Sequence, residues 1–411
     1  MSEDLRPTSS DELKDLVASA AADEVRLEIL GAGTKRGFGR PVEAGRVVRL
    51  DGLADITLYE PEELVMAARA GTPIAEIEAR LAEHQQQLAF EPPDYGALLG
   101  GAVGQGTIGG AFACNLSGPR RIKAGAARDH LLGVQAVTGR GELIKSGGRV
   151  VKNVTGYDLC KLLSGSLGTL AVMSELTFKV LPAPPETSSL LLAGLAREQA
   201  FAALRRALGS AYDVAGAAYL PARAAARSAV APVAAAGADL AVLRLEGLTP
   251  SVRYRTQALK QLLASPGGTI EQLDAAPSLA LWREIRDVAL LPGELNLWRV
   301  STAPTAGPAL IDELERQLEL AWLADWAGGL LWLAVPGAAA GGPEDGGAAA
   351  IRGALAEPGG HATLVRGSGA LRASVPVFQP QEAALARLTA RVKDSFDPKR
   401  ILNPGRMYAD F

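Results

Sequence analysis

Cysteine and histidine are scarce in this 411-residue chain: Cys114 and Cys160 are the two cysteines, and His84, His130 and His361 the three histidines. A zinc site needs several ligands at short spacing and an iron–sulfur cluster normally takes four cysteines, so the sequence predicts no metal site and no cluster of its own. Long apolar runs are also missing. LLWLAVPG, near residue 330, has the length of a core strand and falls far short of the roughly 18 residues of a membrane span. Nor is there an excess of positive charge: 42 Lys and Arg against 45 Asp and Glu give a net charge of −3, which argues against nucleic acid as the main partner. The N-terminal MSEDLRPTSSDELKDL is polar and acidic, unlike a secretory signal. With 48% apolar and 21% charged residues the composition is that of an ordinary globular protein, long enough for two or three domains. A reduced, cytoplasmic, soluble chain is expected.

What the chain has in quantity is glycine, 46 residues of it, concentrated in loops. The run VRLEIL reads as a strand and feeds GAGTKRG, in which Gly31, Gly33 and Gly37 surround Thr34, Lys35 and Arg36. A Rossmann fingerprint would open directly into a helix here. The following FGRPVEAG, with Gly39, Pro41 and Gly45, rules such a helix out. Successive N–H groups in a turn still make an anion-binding nest, to which Thr34 would add a hydroxyl and Lys35 a charge. Taken alone, the loop serves equally well as a structural turn. A second glycine segment, GALLGGAVGQGTIGGAFACNLSG, makes sense where backbone must approach something closely, because glycine loses the most entropy on ordering.

Around these loops the pattern predicts a helix capped at Ser10, with Leu13, Leu16 and Val17 on one face. A second helix starts at Thr72–Pro73 and carries Ile74, Ile77 and Leu81. LVMAARAG is strand or helix by periodicity alone; GVQAVTGRGELI reads as a hairpin about Gly139–Gly141, and SELTFKVLP ends in a strand. Beyond about residue 186 alanine dominates and strands alternate with helices: ADLAVLRLEG, SVRYRTQALKQLLAS, NLWRVSTAP, a helix over IDELERQLELAWLADW, and GLLWLAVPG. That is an α+β module with an antiparallel sheet. PGAAAGGPEDGGAAA, residues 336–350, reads as a flexible surface loop, and Asn-Pro-Gly in FDPKRILNPGRM as a turn.

Five blocks in order, GAGTKRG, TIGGAFACNLSG, RDHLLGVQAVTGRGEL, TGYDLCKLLSGSLGTLAVMSE and FDPKRILNPGRM, resemble flavoproteins of the vanillyl-alcohol oxidase type, which have a PCMH-type FAD-binding domain. Within that family, GPRRIKAGAARDHLLG and GGRVVKNVTGYDLCKLLSGSLGTL are most similar to FAD-binding subunits of bacterial glycolate oxidases. The resemblance implies an α+β fold. A PCMH-type FAD-binding domain of two α+β subdomains (about 1–55 and 56–185) is followed by an α+β cap at 186–392, and 393–411 returns to the first domain. It implies FAD with its pyrophosphate on glycine-loop amides, held by Gly31, Gly33, Thr34, Lys35 and Gly37 and by Thr107, Gly109 and Gly110. Asn115, Ser117 and Gly118 would run beside the flavin ring, Gly165, Gly168 and Thr169 border the adenosine end, and Asn403 lie in the returning tail. Arg121, with its neighbours Arg120 and Lys123, would answer a flavin phosphate or form a solvated basic patch.

Departures from the family pattern carry expectations of their own. The first loop has no histidine or cysteine, so FAD is expected to be non-covalent; Cys114, near the second loop, reads as a small buried residue. The paired histidines that hold a metal and the hydroxy acid in catalytic relatives are missing, leaving His361 alone in that region. No catalytic residue is assigned. Arg286, Arg299 and Arg366 are candidate carboxylate cations or structural ion pairs, and Lys152, Asn153, Tyr157 and Asp158 either shape the flavin pocket or face a partner, with a core aromatic the alternative for Tyr157. The expected function is the FAD-binding subunit of a glycolate oxidase complex. It would act beside a catalytic flavoprotein subunit and an iron–sulfur subunit, in the cytoplasm or peripheral to the inner face of the membrane through those partners. A stand-alone dehydrogenase of another 2-hydroxy acid and a non-catalytic flavin-binding partner are the alternatives.

Overall fold

The computed structural model describes residues 4–149 and 156–410; Lys152 and Asn153 lie outside the described residues. The chain forms two compact units, one of residues 1–117, 125–183 and 380–411, the other of residues 118–124 and 184–379.

The first unit holds a parallel sheet of β1 (Asp4–Leu5), β2 (Leu27–Leu30) and β3 (Arg46–Arg49), ordered β1-β3-β2. The helix Ser10–Ala22 buries Leu13, Val17 and Ala20. Its cap is Ser9 rather than Ser10: the Ser9 hydroxyl accepts the Glu12 N–H at 3.1 Å, which leaves Ser10 inside the first turn. An antiparallel sheet follows, from β4 (Ile56–Glu60), β5 (Val65–Arg69), β7 (Leu131–Thr138), β8 (Leu143–Gly147) and β9 (Ala171–Lys179), ordered β4-β5-β9-β7-β8. LVMAARAG becomes β5 because strands flank it on both sides and Val65, Met66, Ala67 and Ala68 are all buried. The hairpin at Gly139–Gly141 joins β7 to β8, with the Gly141 N–H donating to the Thr138 carbonyl at 2.9 Å. A short ladder of β6 (Gln86–Gln87) and β10 (Leu181–Pro182) completes the unit's strands. The helix Ile74–Ala82 starts after Pro73 as predicted and buries Ile77 and Leu81.

The tail closes this unit. Lys393, on the helix Ala383–Phe396, is fully buried, and its ammonium donates to the Thr169 carbonyl (2.7 Å), the Leu402 carbonyl (3.1 Å) and the Asp397 carboxylate (2.7 Å). All three of its donors are thereby used, which is the condition for tolerating a buried ammonium. The Leu27 N–H donates to the Ile401 carbonyl and Leu402 bridges Leu27 in parallel, so the tail covers the open edge of β2.

The second unit is one antiparallel sheet of eight strands: β11 (Glu186–Ala193), β12 (Gly216–Leu220), β13 (Leu240–Gly247), β14 (Thr269–Leu273), β15 (Asn296–Ser301), β16 (Ala321–Asp325), β17 (Leu330–Val335) and β18 (His361–Arg366). Their order is β14-β11-β13-β12-β16-β17-β15-β18. Helices Arg197–Leu208, Thr249–Leu263 and Gly307–Gln317 bury Phe201, Leu204, Leu259 and Leu314 in one core with Leu190, Leu243, Trp298 and Leu331 of the sheet. Two expectations are corrected here. IDELERQLELAWLADW is not one helix: it ends at Gln317, and AWLAD pairs along its length with β17, burying Trp322, Leu323 and Ala324. Sheet pairing outweighs the local helical pattern. The 336–350 stretch is not free surface loop throughout, since Gly346, Gly347 and Ala348 are buried and the Gly346 carbonyl accepts the Trp298 indole N–H at 2.8 Å.

Candidate cofactor site

β2 delivers the chain into a tight loop rather than a helix. Arg36 N–H donates to the Gly33 carbonyl and Phe38 N–H to the Lys35 carbonyl, both at 3.0 Å. Gly33 has φ +81°, a left-handed conformation that side chains disfavour. At Gly31 an added Cβ would meet Thr107 Oγ1 at 2.3 Å, so the two glycine segments approach as backbone against side chain with no room between. The consequence is chemical. The N–H groups of Ala32, Gly33, Thr34 and Lys35 donate to no acceptor among the described residues. Four successive undirected donors in one turn are an anion nest.

Lys35 supplies the charge. Its ammonium contacts Thr34 Oγ1 at 3.2 Å and makes no ion pair among the described residues. Burial holds its pKa below the ordinary lysine value, only partly opposed by Cys114 and Asp94. Cys114 faces the same pocket, and burial pushes its thiol up, against the pull of Lys35 and Arg406. An ammonium that makes no ion pair, beside four N–H groups without acceptors among the described residues, fits a diphosphate.

Distant residues hold this loop in shape. Glu28, on β2 and buried, chelates Arg36 at 2.9 and 2.6 Å. Arg406 donates to the Lys35 carbonyl at 2.7 Å, and its own carbonyl accepts the Arg40 N–H. Asn403 uses both ends of its amide: Oδ1 accepts the Ile29 N–H at 2.8 Å and Nδ2 donates to the Leu167 carbonyl at 2.7 Å. One side chain thus ties β2 to the Gly165–Thr169 turn.

Comparison with known proteins places the chain in a family. Residues 4–147 match the model of a family described as FAD binding domain. Along 98% of both chains, the sequence is 34% identical to glycolate oxidase subunit GlcE of Escherichia coli K12. The chain belongs to the GlcE family of FAD-linked oxidoreductases. Glycolate oxidase subunit GlcD of Bacillus subtilis is 32% identical over 46% of this chain, which spans only 38% of that protein. The fold is that of PCMH-type flavoproteins: p-cresol methylhydroxylase superposes with a TM-score of 0.70 at 16% identity, over 99% of this chain and 88% of that one. 4-Ethylphenol oxidase from Gulosibacter chungangensis gives 0.73 at 14% identity, over 99% and 89%.

Within this family member, seven of the anticipated residues line one pocket: Gly31, Gly33, Thr34, Lys35, Thr107, Gly110 and Asn403. Glu28, Cys114, Leu167 and Arg406 complete or support it and were not anticipated in these roles. Only Arg406 carried a signal, its place three residues after Asn403 in the NPGRM block. Gly37 packs against Leu99, and Gly109 against Ala70, to whose carbonyl its N–H donates. Asn115 accepts the Arg128 N–H and Ser117 the Ala127 N–H, so both fasten a turn. Gly165 donates to the Phe112 carbonyl, and Gly168 lies against Asn403. Thr169 is buried, its hydroxyl donating to the Ser166 carbonyl at 2.7 Å.

Arg121 and its neighbours, with Gly118, belong to the second unit, and none of them lines the pocket. Arg120 chelates the half-buried Glu246, Lys123 pairs with Asp213, and Arg121 stacks on Trp326, 4.9 Å from the ring centroid. Carboxylates and an aromatic face of the second unit draw them there. Arg286 chelates Asp287, and Arg366 donates to the Leu295 and Pro292 carbonyls, so these two serve structure. Tyr157 is 90% exposed, which removes the core-aromatic reading, and Asp158 caps a helix through the Lys161 N–H. No helix among the described residues is long and apolar enough to cross a membrane.

Proposed function

We propose that this chain is the FAD-binding subunit of a glycolate oxidase (dehydrogenase) complex, and that Ala32–Lys35 hold the FAD pyrophosphate. The observation that carries the site is the set of four N–H groups that, among the described residues, have no acceptor, beside an ammonium that makes no ion pair there. FAD, when bound, supplies the acceptor for two electrons and a hydrogen from the alcohol carbon. The chain's own residues do the binding: the Ala32–Lys35 amides and the Lys35 ammonium neutralise two negative charges, while Glu28, Asn403 and Arg406 keep the loop in register. The match to GlcE over nearly the whole chain supports the complex, with a catalytic flavoprotein subunit and an iron–sulfur subunit as partners in the cytoplasm or at the inner membrane face. Absence of histidine and cysteine from the first loop, and the raised thiol of Cys114, support non-covalent attachment.

The experiment is to purify the full chain with FAD, record the visible flavin spectrum, and add glycolate anaerobically, first alone and then with the partner subunits. Bound flavin that bleaches only with the partners present supports the reading. Bleaching by the chain alone would favour a stand-alone dehydrogenase, and failure to bind FAD would refute the site.

A further inference from the structure

At one end of the large sheet, four neighbouring strands bring their ends together: β12 closes at Leu220, β16 opens at Ala321, β17 closes at Val335 and β15 opens at Asn296. A cavity of about 450 Å³ lies there, wholly within the second unit and within the usual size range of small-molecule sites. Pro221, Leu290, Leu291, Leu295 and Leu320 give it an apolar wall. Arg223 and Arg227, one helical turn apart just after β12, also line it. Both side chains are exposed, and neither guanidinium makes a hydrogen bond or ion pair among the described residues. The carboxylates that hold this segment are used on other groups. Asp239 accepts the Ala222 N–H at 2.8 Å, and Glu284 accepts the Ser228 hydroxyl at 2.5 Å and the Ala229 N–H at 2.7 Å. The segment is thus fixed at both ends while its two cations stay open. The leucine wall is fixed as well, since Arg366 donates to the Pro292 and Leu295 carbonyls at 2.6 and 2.9 Å. Walls set before a ligand arrives lower the ordering cost of binding. Two carboxylates line the same cavity. Glu315 accepts the Trp322 indole N–H at 2.8 Å and an Arg197 N–H at 2.7 Å, so it is committed within the fold. Glu319 is exposed and has no partner among the described residues. Of the cavity's charged groups left open, two are guanidiniums and one is a carboxylate.

We propose that this cavity binds an amphipathic carboxylate, a small monoanion with an apolar body. Its carboxylate meets the open donors of Arg223 and Arg227, whose planar forks match carboxylate oxygens, and its hydrocarbon leaves water for the leucine wall. Glu319, beside the two guanidiniums, favours a monoanion over a dianion. A carboxylate without an apolar body gains nothing from Leu290, Leu291, Leu295 and Leu320, and an apolar amide gains nothing from the charges. The proposal requires neither bound FAD nor the reading of the chain as a glycolate oxidase subunit.

The test titrates the full chain with octanoate, its neutral analogue octanamide, and acetate, by calorimetry with and without FAD, and records the melting temperature of every variant. Octanoate is expected to bind equally with and without FAD, and octanamide and acetate at least about tenfold more weakly. Arg223→Gln and Arg227→Gln each weaken octanoate roughly three- to fivefold, and together at least about tenfold. Melting temperatures stay unchanged, because both side chains are exposed and make no contact of this kind among the described residues. Glu319→Gln removes the opposing charge and tightens octanoate severalfold. Octanoate affinity unaltered in the double arginine variant, octanamide or acetate binding as tightly as octanoate, or no octanoate binding to the wild type would overturn the proposal. Displacement of octanoate by FAD would place it in the cofactor pocket and overturn the proposal as well. Failure of the chain to bind FAD with octanoate binding intact would refute the cofactor reading and leave this site standing.

Discussion

Lys35→Met separates binding from folding more cleanly than any other change at the pocket. The wild-type ammonium is desolvated and only partly compensated by Asp94, and it makes no ion pair among the described residues, so it opposes folding of the FAD-free chain while serving FAD. Methionine keeps most of the length and apolar contact and removes the charge. The lost charge-assisted contact to a phosphate is worth roughly 1.5–3 kcal/mol, about a 10- to 100-fold increase in the Kd for FAD. The FAD-free variant melts at or above the wild-type temperature. A base whose folded pKa is depressed makes the unfolded chain bind more protons, so Lys35 lets wild-type stability rise as pH climbs from that depressed pKa toward the unfolded lysine value. The Met variant loses that rise. FAD affinity runs the other way, falling as pH passes the depressed pKa and the ammonium discharges. FAD titration by fluorescence quenching and thermal melts across pH measure both. Equal FAD affinity in variant and wild type, or a parallel loss of stability and affinity, would refute the reasoning.

Other expectations follow from the same geometry. Gly31→Ala drives a Cβ into Thr107 Oγ1 at 2.3 Å, an overpacking of about 1–3 kcal/mol that weakens FAD roughly 5- to 100-fold; adding Thr107→Ala recovers part of it, measured as a double-mutant cycle on the Kd. Lys393→Ala leaves Asp397 buried and unpaired at a cost of about 3–5 kcal/mol, a fall of roughly 6–20 °C in the melting temperature of the first unit by calorimetry. Cys114→Ser retains FAD, and acid precipitation of the wild type releases all flavin to the supernatant; coloured precipitate would contradict non-covalent attachment. Iodoacetamide should label Cys114 more slowly than an unperturbed thiol at pH 8, because burial raises its pKa.

Local chemistry explains what could be read beforehand. Gly31, Gly33 and Lys35 fall within five residues, and their meaning depends only on backbone conformation and charge, so the loop was legible as a nest before any fold was known. Thr107 and Gly110 joined it through the second glycine segment. Glu28 and Arg406 were not legible in their roles, because what each does depends on a contact across the fold: Arg406 reaches the Lys35 carbonyl from 371 positions away. The strand Ala321–Asp325 was hidden for a related reason, since its helical pattern yields only to pairing with β17. The stacking of Arg121 on Trp326 was not legible either, because that ring lies some 200 positions on and only the fold brings the two together.

The most direct measurement is the crystal structure of the full chain with FAD bound. The account predicts pyrophosphate oxygens within hydrogen-bond distance of the Ala32–Lys35 amides and of the Lys35 ammonium, with no covalent bond from flavin to protein. A pyrophosphate seated elsewhere, with those four amides still lacking acceptors, would contradict it.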